Sequence, residues 1–187
     1  MPRLSSLDDL AALYAARGGQ TYGEGVTQLE HAVQCAGLAE AAGAAPSLVA
    51  AALLHDVGHL FLEEAEATTA AQDDRHEITG ARALSALFGR AVRGPIALHV
   101  PAKRWLCLRQ PGYLDALSPA SAASLALQGG PFDEGGAAAF ERKPYWRQAV
   151  ALRRWDDLGK DLEPCGRTFA DFAPLLRSLQ RDQPPQD

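Results

Sequence analysis

The chain has 187 residues, a net charge of −5 and three cysteines with no CxxC spacing. That length suits one compact domain that buries roughly 70% of its unfolded surface and needs no disulfide staples. The unpatterned thiols Cys35, Cys107 and Cys165 read as reduced cysteines of a cytoplasmic protein. No Lys/Arg-rich run offers a nucleic-acid surface, residues 1–10 hold no apolar leader, and no run of ~18 apolar residues is free of charge, so neither nucleic acid nor a membrane is an expected partner.

Alanine and leucine dominate and β-branched residues are scarce, which favours helix throughout. A first helix is predicted over 6–17, with Leu7, Leu10, Leu13 and Tyr14 on one stripe and Gly18-Gly19 ending it. Residues 20–26, with Gly23 and Gly25, read as a loop. A second helix covers 27–42, closed by Gly43, and a third opens at Pro46 and runs through His55 to about Gly58. Residues 63–74 form a polar surface connection. Helix resumes over 75–88, capped by Gly89, and again over 91–108, where Pro101 should interrupt and kink it. Ser118-Pro119 opens a helix that stops at Gly129-Gly130, and 129–136 reads as a flexible loop. Pro144 opens a long helix to about Lys160, and 168–179 is the last one. Residues 180–187 read as a disordered polar tail. No strand pattern appears, so the prediction is a single all-α bundle domain over 1–179.

Five histidines, His31, His55, His59, His76 and His99, sit in or beside predicted helices among apolar neighbours. His55-Asp56 follows the apolar run 49–54, and Asp156 follows the run from Ala149. Burying imidazole or carboxylate without a partner costs several kcal/mol, on the order of 2–7 for a neutral polar group, and a shared cation removes that penalty. His31, His55, Asp56, His76, His99 and Asp156 are too many ligands for one metal that keeps an open position, yet they suffice for two if Asp56 bridges. His31, His55, Asp56 and Asp156 are assigned to one metal, and Asp56, His76 and His99 to the other, which keeps open positions. Imidazole with carboxylate suits iron, manganese, cobalt or zinc rather than calcium. Two carboxylates carry about −2 against about +4 to +5 from two metal ions, so the site attracts an anion despite the acidic surface.

The order H…HD…H…H…D resembles the HD-domain superfamily, a helical bundle with a dinuclear metal site. A closer resemblance spans nearly the whole chain, through Tyr22-Gly-Glu-Gly-Val-Thr-Gln-Leu-Glu-His31, His55-Asp-Val-Gly-His59, His99-Val-Pro-Ala-Lys103, Leu117-Ser-Pro-Ala-Ser121 and Arg153-Arg-Trp-Asp-Asp-Leu-Gly-Lys160. These segments look like the mixed-valent diiron oxygenases that cleave carbon–phosphorus bonds, relatives of myo-inositol oxygenase. The resemblance implies an Fe2+/Fe3+ pair, O2, and a 1-hydroxy-2-aminoethylphosphonate or its N-trimethyl form, which is the weakly favoured branch. The products would be phosphate with glycine or glycine betaine, and a 2-oxoglutarate-dependent hydroxylase could supply the substrate.

On that resemblance, His59, Lys103, Ser121 and Gln128 would bind the phosphonate, and Tyr22 and Glu24 would form a gate that meets the amine. Trp105, Tyr145 and Trp146 are further candidates for an aromatic face on a quaternary ammonium. Asp157 is expected to be an ordinary exposed helix residue. Two other readings use the same residues: an HD phosphohydrolase in which the metals activate water against a phosphate ester, and a non-catalytic scaffold with a closed structural site.

Overall fold

The computed structural model describes residues 4–21, 25–61 and 75–181. Among them are nine α-helices and no named strand. They are α1 (Leu7–Arg17), α2 (Gln28–Ala41), α3 (Pro46–Leu54), α4 (His76–Ala83), α5 (Arg90–Arg109), α6 (Pro119–Leu127), α7 (Glu134–Glu141), α8 (Trp146–Leu158) and α9 (Ala173–Leu179). Two 3-10 turns, His59–Phe61 and Phe169–Phe172, complete the set. None of these helices is long and apolar enough to cross a membrane.

α3 is the centre of the bundle. Residues 49–54 are all buried, so the helix is apolar on every face and must be enclosed. α2, α5, α8 and α9 pack around it. Local signals set the ends of the surrounding helices. Ser6 accepts from the Asp9 N–H while Asp9 accepts from the Ser6 N–H, a capping box that starts α1. Thr27 caps α2, Ser118 caps α6 and Asp133 caps α7. A second apolar cluster, with Ala102, Leu106, Tyr113, Phe140, Ala149 and Val150, binds α7 and α8 to the second half of α5.

Several expectations change, among them the fourth helix, which ends at Ala83 rather than Phe88. The third helix ends at Leu54, not near Gly58, so His55 and Asp56 lie in a turn beyond it. Gly58 is the reason that turn can form: a Cβ there would stand 2.0 Å from the His76 carbonyl oxygen, so the chain reverses tightly against the start of α4. α5 runs unbroken from Arg90 to Arg109 through Pro95 and Pro101. Packing of its buried face, which includes Ile96, His99, Ala102, Lys103 and Leu106, outweighs the hydrogen bond each proline removes. The loop expected over 129–136 contains the start of α7; the two glycines end α6 at positive φ, but Asp133 accepts from the Gly136 N–H at 2.7 Å and starts a new helix. α8 begins at Trp146 rather than Pro144, because Tyr145 is left-handed (φ 68°), its ring lying against Gly94.

The final helix is a 3-10 turn followed by α9. Gln180 and Arg181, read as tail, are tied back: the Arg181 N–H donates to the Leu87 carbonyl at 2.9 Å and Gln180 bridges Phe88. The connection predicted over 63–74 and the remainder of the tail, 182–187, lie outside the described residues.

Candidate metal centre

Five elements converge on one buried cluster. α2 contributes His31 from its first turn, the turn after α3 contributes His55 and Asp56, α4 contributes His76 at its first position, α5 contributes His99, and the last turn of α8 contributes Asp156. The four histidines and Asp156 are buried.

Backbone carbonyls set the ring orientations. His31 Nδ1–H donates to Gly159 O at 2.7 Å, His55 Nδ1–H to Ala52 O at 2.9 Å and His99 Nδ1–H to Ile96 O at 2.8 Å. Those bonds leave Nε2 of each ring as a lone-pair acceptor. The Nε2 atoms then face one another, His31 to His55 at 3.2 Å and His76 to His99 at 3.1 Å. Gly159 makes the first tie possible: any Cβ on it would lie 2.5 Å from Cys35 Sγ.

Asp56 stands between the two pairs. Its Oδ2 lies 3.6 Å from His31 Nε2 and 3.4 Å from His55 Nε2, while its Oδ1 lies 3.5 Å from His76 Nε2 and 3.6 Å from His99 Nε2. Asp156 joins the first pair, with Oδ1 3.6 Å from His31 Nε2 and Oδ2 3.8 Å from His55 Nε2. Two imidazole nitrogens this close need a proton or a metal cation between them. Ligands on one transition metal with bonds of about 2.1 Å sit roughly 3.0–3.4 Å apart, close to the spacings here. The donor set therefore fits two cations sharing Asp56, one with four protein donors and one with three.

The electrostatics agree with a cation-binding role. Burial raises the Asp56 carboxyl pKa, but the imidazoles of His55, His59 and His76 outweigh it and hold the group ionised. For Asp156 burial is likewise outweighed, chiefly by Arg153, and the carboxyl stays well below the usual range. Burial keeps His55 and His99 neutral, as ligands must be. At His31 burial is overcome by Cys35 and Asp156, which raise its pKa well above the ordinary value; a metal ion at Nε2 would take the place of that proton. Cys35 itself is a poor ligand. Burial pushes its thiol pKa up, and its S–H donates to Trp155 O at 3.4 Å.

Beside the cluster is a cationic cradle at the N-terminal turn of α6. Lys103, only 2% exposed, donates to Ser124 Oγ at 2.7 Å and Ser121 O at 3.3 Å. Arg153 NH2 reaches Ser121 Oγ at 3.3 Å and Lys160 Nζ reaches it at 3.2 Å. Gln128 lies two turns along the same face of α6, and its Oε1 is buried with no hydrogen-bond partner among the described residues. His59 stacks on His76 with centroids 3.9 Å apart. Two positive groups at the Ser121 hydroxyl and a third at its carbonyl, next to a candidate cation site, can receive a dianion.

Arg153 and Lys160 were not singled out in the sequence beyond their motif. The signal was there in the i, i+3 and i+4 spacing from Arg153 to Asp156 and Asp157. Asp157 is not the free surface carboxylate expected of it: it accepts from Arg153 and from Tyr113 OH. Trp105 packs on Trp146 and Phe140 and donates to Glu141 at 2.8 Å, and Tyr145 lies on Gly94. The candidate gate residues Tyr22 and Glu24 lie outside the described residues.

Comparison with known proteins gives a consistent result. Residues 29–111 match the HD domain family. A hydroxymethylphosphonate dioxygenase of Gimesia maris is 46% identical over 153 residues, covering 81% of this chain and 76% of its own. A [1-hydroxy-2-(trimethylamino)ethyl]phosphonate dioxygenase (glycine-betaine-forming) of Leisingera caerulea is 37% identical over 172 residues, covering 91% and 88%. An uncharacterized protein of Acanthamoeba polyphaga mimivirus is 33% identical over 171 residues, covering 86% and 77%.

Proposed function

The chain belongs to the HD-domain phosphonate dioxygenases that cleave carbon–phosphorus bonds, and from that premise we propose how its own residues carry the reaction. It is an oxygenase that consumes O2 and a 1-hydroxyphosphonate and releases phosphate and a carboxylate. For hydroxymethylphosphonate the balance is one dianion plus one O2 giving formate and dihydrogen phosphate, so the substrate supplies every electron and no nicotinamide or flavin is needed.

One observation carries the reading: the two oxygens of Asp56 each face a separate pair of imidazole Nε2 atoms. On this reading His31, His55, Asp56 and Asp156 hold one iron, and Asp56, His76 and His99 hold the other. A bound Fe2+/Fe3+ pair supplies O2 activation and a Lewis acid for the substrate hydroxyl. The site with three protein donors leaves coordination positions for reactants.

The protein's part is binding and orientation. Lys103, Arg153 and Lys160, with Ser121 and Gln128, receive the phosphonate oxygens, and His59, stacked on His76, donates to them as well. Lys103 and Arg153 are withdrawn from water, so their attraction for the dianion is little screened. The phosphonate thereby fixes C1 beside the cations, and its charge is already balanced when the C–P bond breaks. The amine end of a longer substrate falls to Tyr22 and Glu24.

The test loads the protein with iron under reducing conditions and supplies hydroxymethylphosphonate or [1-hydroxy-2-(trimethylamino)ethyl]phosphonate. Phosphate release matched mole for mole by O2 uptake is expected. Phosphate released from a phosphate ester, with no O2 consumed, would overturn the proposal in favour of a hydrolase.

A further inference from the structure

Arg153 is only 4% exposed and donates in four directions: NH1 to Asp156 Oδ2 at 2.7 Å, NH2 to both Ser121 Oγ at 3.3 Å and Asp157 Oδ1, and Nε to Tyr113 OH at 3.2 Å. Two of those acceptors belong to the site described above, one a candidate metal ligand and one in the cradle. The other two, Asp157 and Tyr113, do not reach it, yet they bond to each other as well: Tyr113 O–H donates to Asp157 Oδ2.

The three groups close a ring. Asp157 uses one oxygen for the guanidinium and the other for the phenol, and the phenol oxygen accepts from the guanidinium in turn. Tyr113 comes from the segment between α5 and α6 and is buried in the second apolar cluster, so the ring is anchored outside α8. An arginine has several staggered rotamers, and only a fixed one aims NH1 and NH2 at two separate acceptors. Two carboxylates in the last turn of α8 also oppose the helix dipole, an arrangement that needs a specific cationic partner.

We propose that Asp157 and Tyr113 are positioning residues for the oxygenase reaction, locking Arg153 so that a single guanidinium holds Asp156 and the phosphonate cradle in register. This rests on the proposed function, since the cradle is assigned to the phosphonate there. Neither residue touches substrate. Their effect passes through Arg153, so losing either loosens the grip on the phosphonate rather than the bond-breaking step.

The experiment uses the iron-loaded enzyme with Asp157→Asn, Tyr113→Phe and the double substitution. It reads kcat and KM for hydroxymethylphosphonate, the inhibition constant for inorganic phosphate, iron content and melting temperature. Asp157→Asn should raise KM and the phosphate inhibition constant together by about tenfold, with iron content kept and kcat within about threefold. Tyr113→Phe should raise both by about threefold, and the double substitution should go no further than Asp157→Asn, because both act on one side chain. An unchanged KM and phosphate constant in Asp157→Asn, with or without a lower melting temperature, would mean a structural role only and overturn the proposal. Effects that multiply in the double variant would overturn it too. If Asp157→Asn does not fold, Tyr113→Phe decides alone by the same two constants. If the wild-type protein turns over no phosphonate, the oxygenase reading fails, and calorimetric titration of wild type and Tyr113→Phe with phosphate still decides whether Arg153 is held in this way.

Discussion

At the scale of single residues, the division of labour around Asp56 gives a sharp expectation. His76 and His99 meet only one of its oxygens, and His31 and His55 meet the other. Replacing His99 with Ala should lower bound metal from two ions per chain to one, measured by elemental analysis, whereas Asp56→Asn should weaken both sites. Activity falls at least about a thousandfold in each case if both ions are required. Lys103 adds a pH dependence. Burial, reinforced by Arg153, brings its pKa down to about 8. The ammonium that attracts the phosphonate is present below that pH and lost above it, so KM should climb about tenfold per pH unit above 8. Stability moves the other way: the unfolded chain holds this proton up to its ordinary value of 10.5, so folding gains from rising pH between 8 and 10.5. Thermal melts and KM over that range separate the two. The metal-binding candidates were legible in the sequence because ionisable residues embedded in apolar runs need a partner. The paired roles of Arg153, Asp157 and Tyr113 were not, because Tyr113 lies 40 residues from Arg153 along the chain.

At the scale of elements, packing decided what local signals left open. The turn after α3 exists because Gly58 lets the chain lie on the His76 carbonyl. Gly58→Ala should cost about 1–3 kcal/mol in chemical denaturation and displace His76, lowering metal content along with stability. Asp133→Ala is the contrasting case. It removes the cap of α7, far from the cluster in role, and should cost about 1 kcal/mol with kcat unchanged. Helix existence was largely readable from composition and caps. The ends were less so: Gly129 and Gly130 suggested a long loop, and only the Asp133 side chain, accepting from Gly136, shows where helix resumes. Pro101 signalled a break that the buried face of α5 overrides.

At the scale of the molecule, the bundle gathers four imidazoles and two carboxylates into one largely buried cluster, an arrangement unfavourable in itself. Cations bound there but not in the unfolded chain add stability according to their concentration, about 2.7 kcal/mol at a hundred times the dissociation constant. Chelation should therefore lower the melting temperature measurably, and returning metal should restore it. The bundle architecture was readable in advance because α3, apolar on all sides, can only sit inside other helices.

The tie between the His31 ring and Gly159 O spans 128 residues and sits beside Asp156, the late carboxylate of the same half-site. During synthesis, then, the surroundings of His31 cannot be completed until residues 156–159 have left the ribosome. The histidines at 55, 76 and 99 emerge long before. A nascent chain interrupted ahead of Asp156 lacks both the carboxylate and the Gly159 carbonyl that complete the surroundings of the His31 ring.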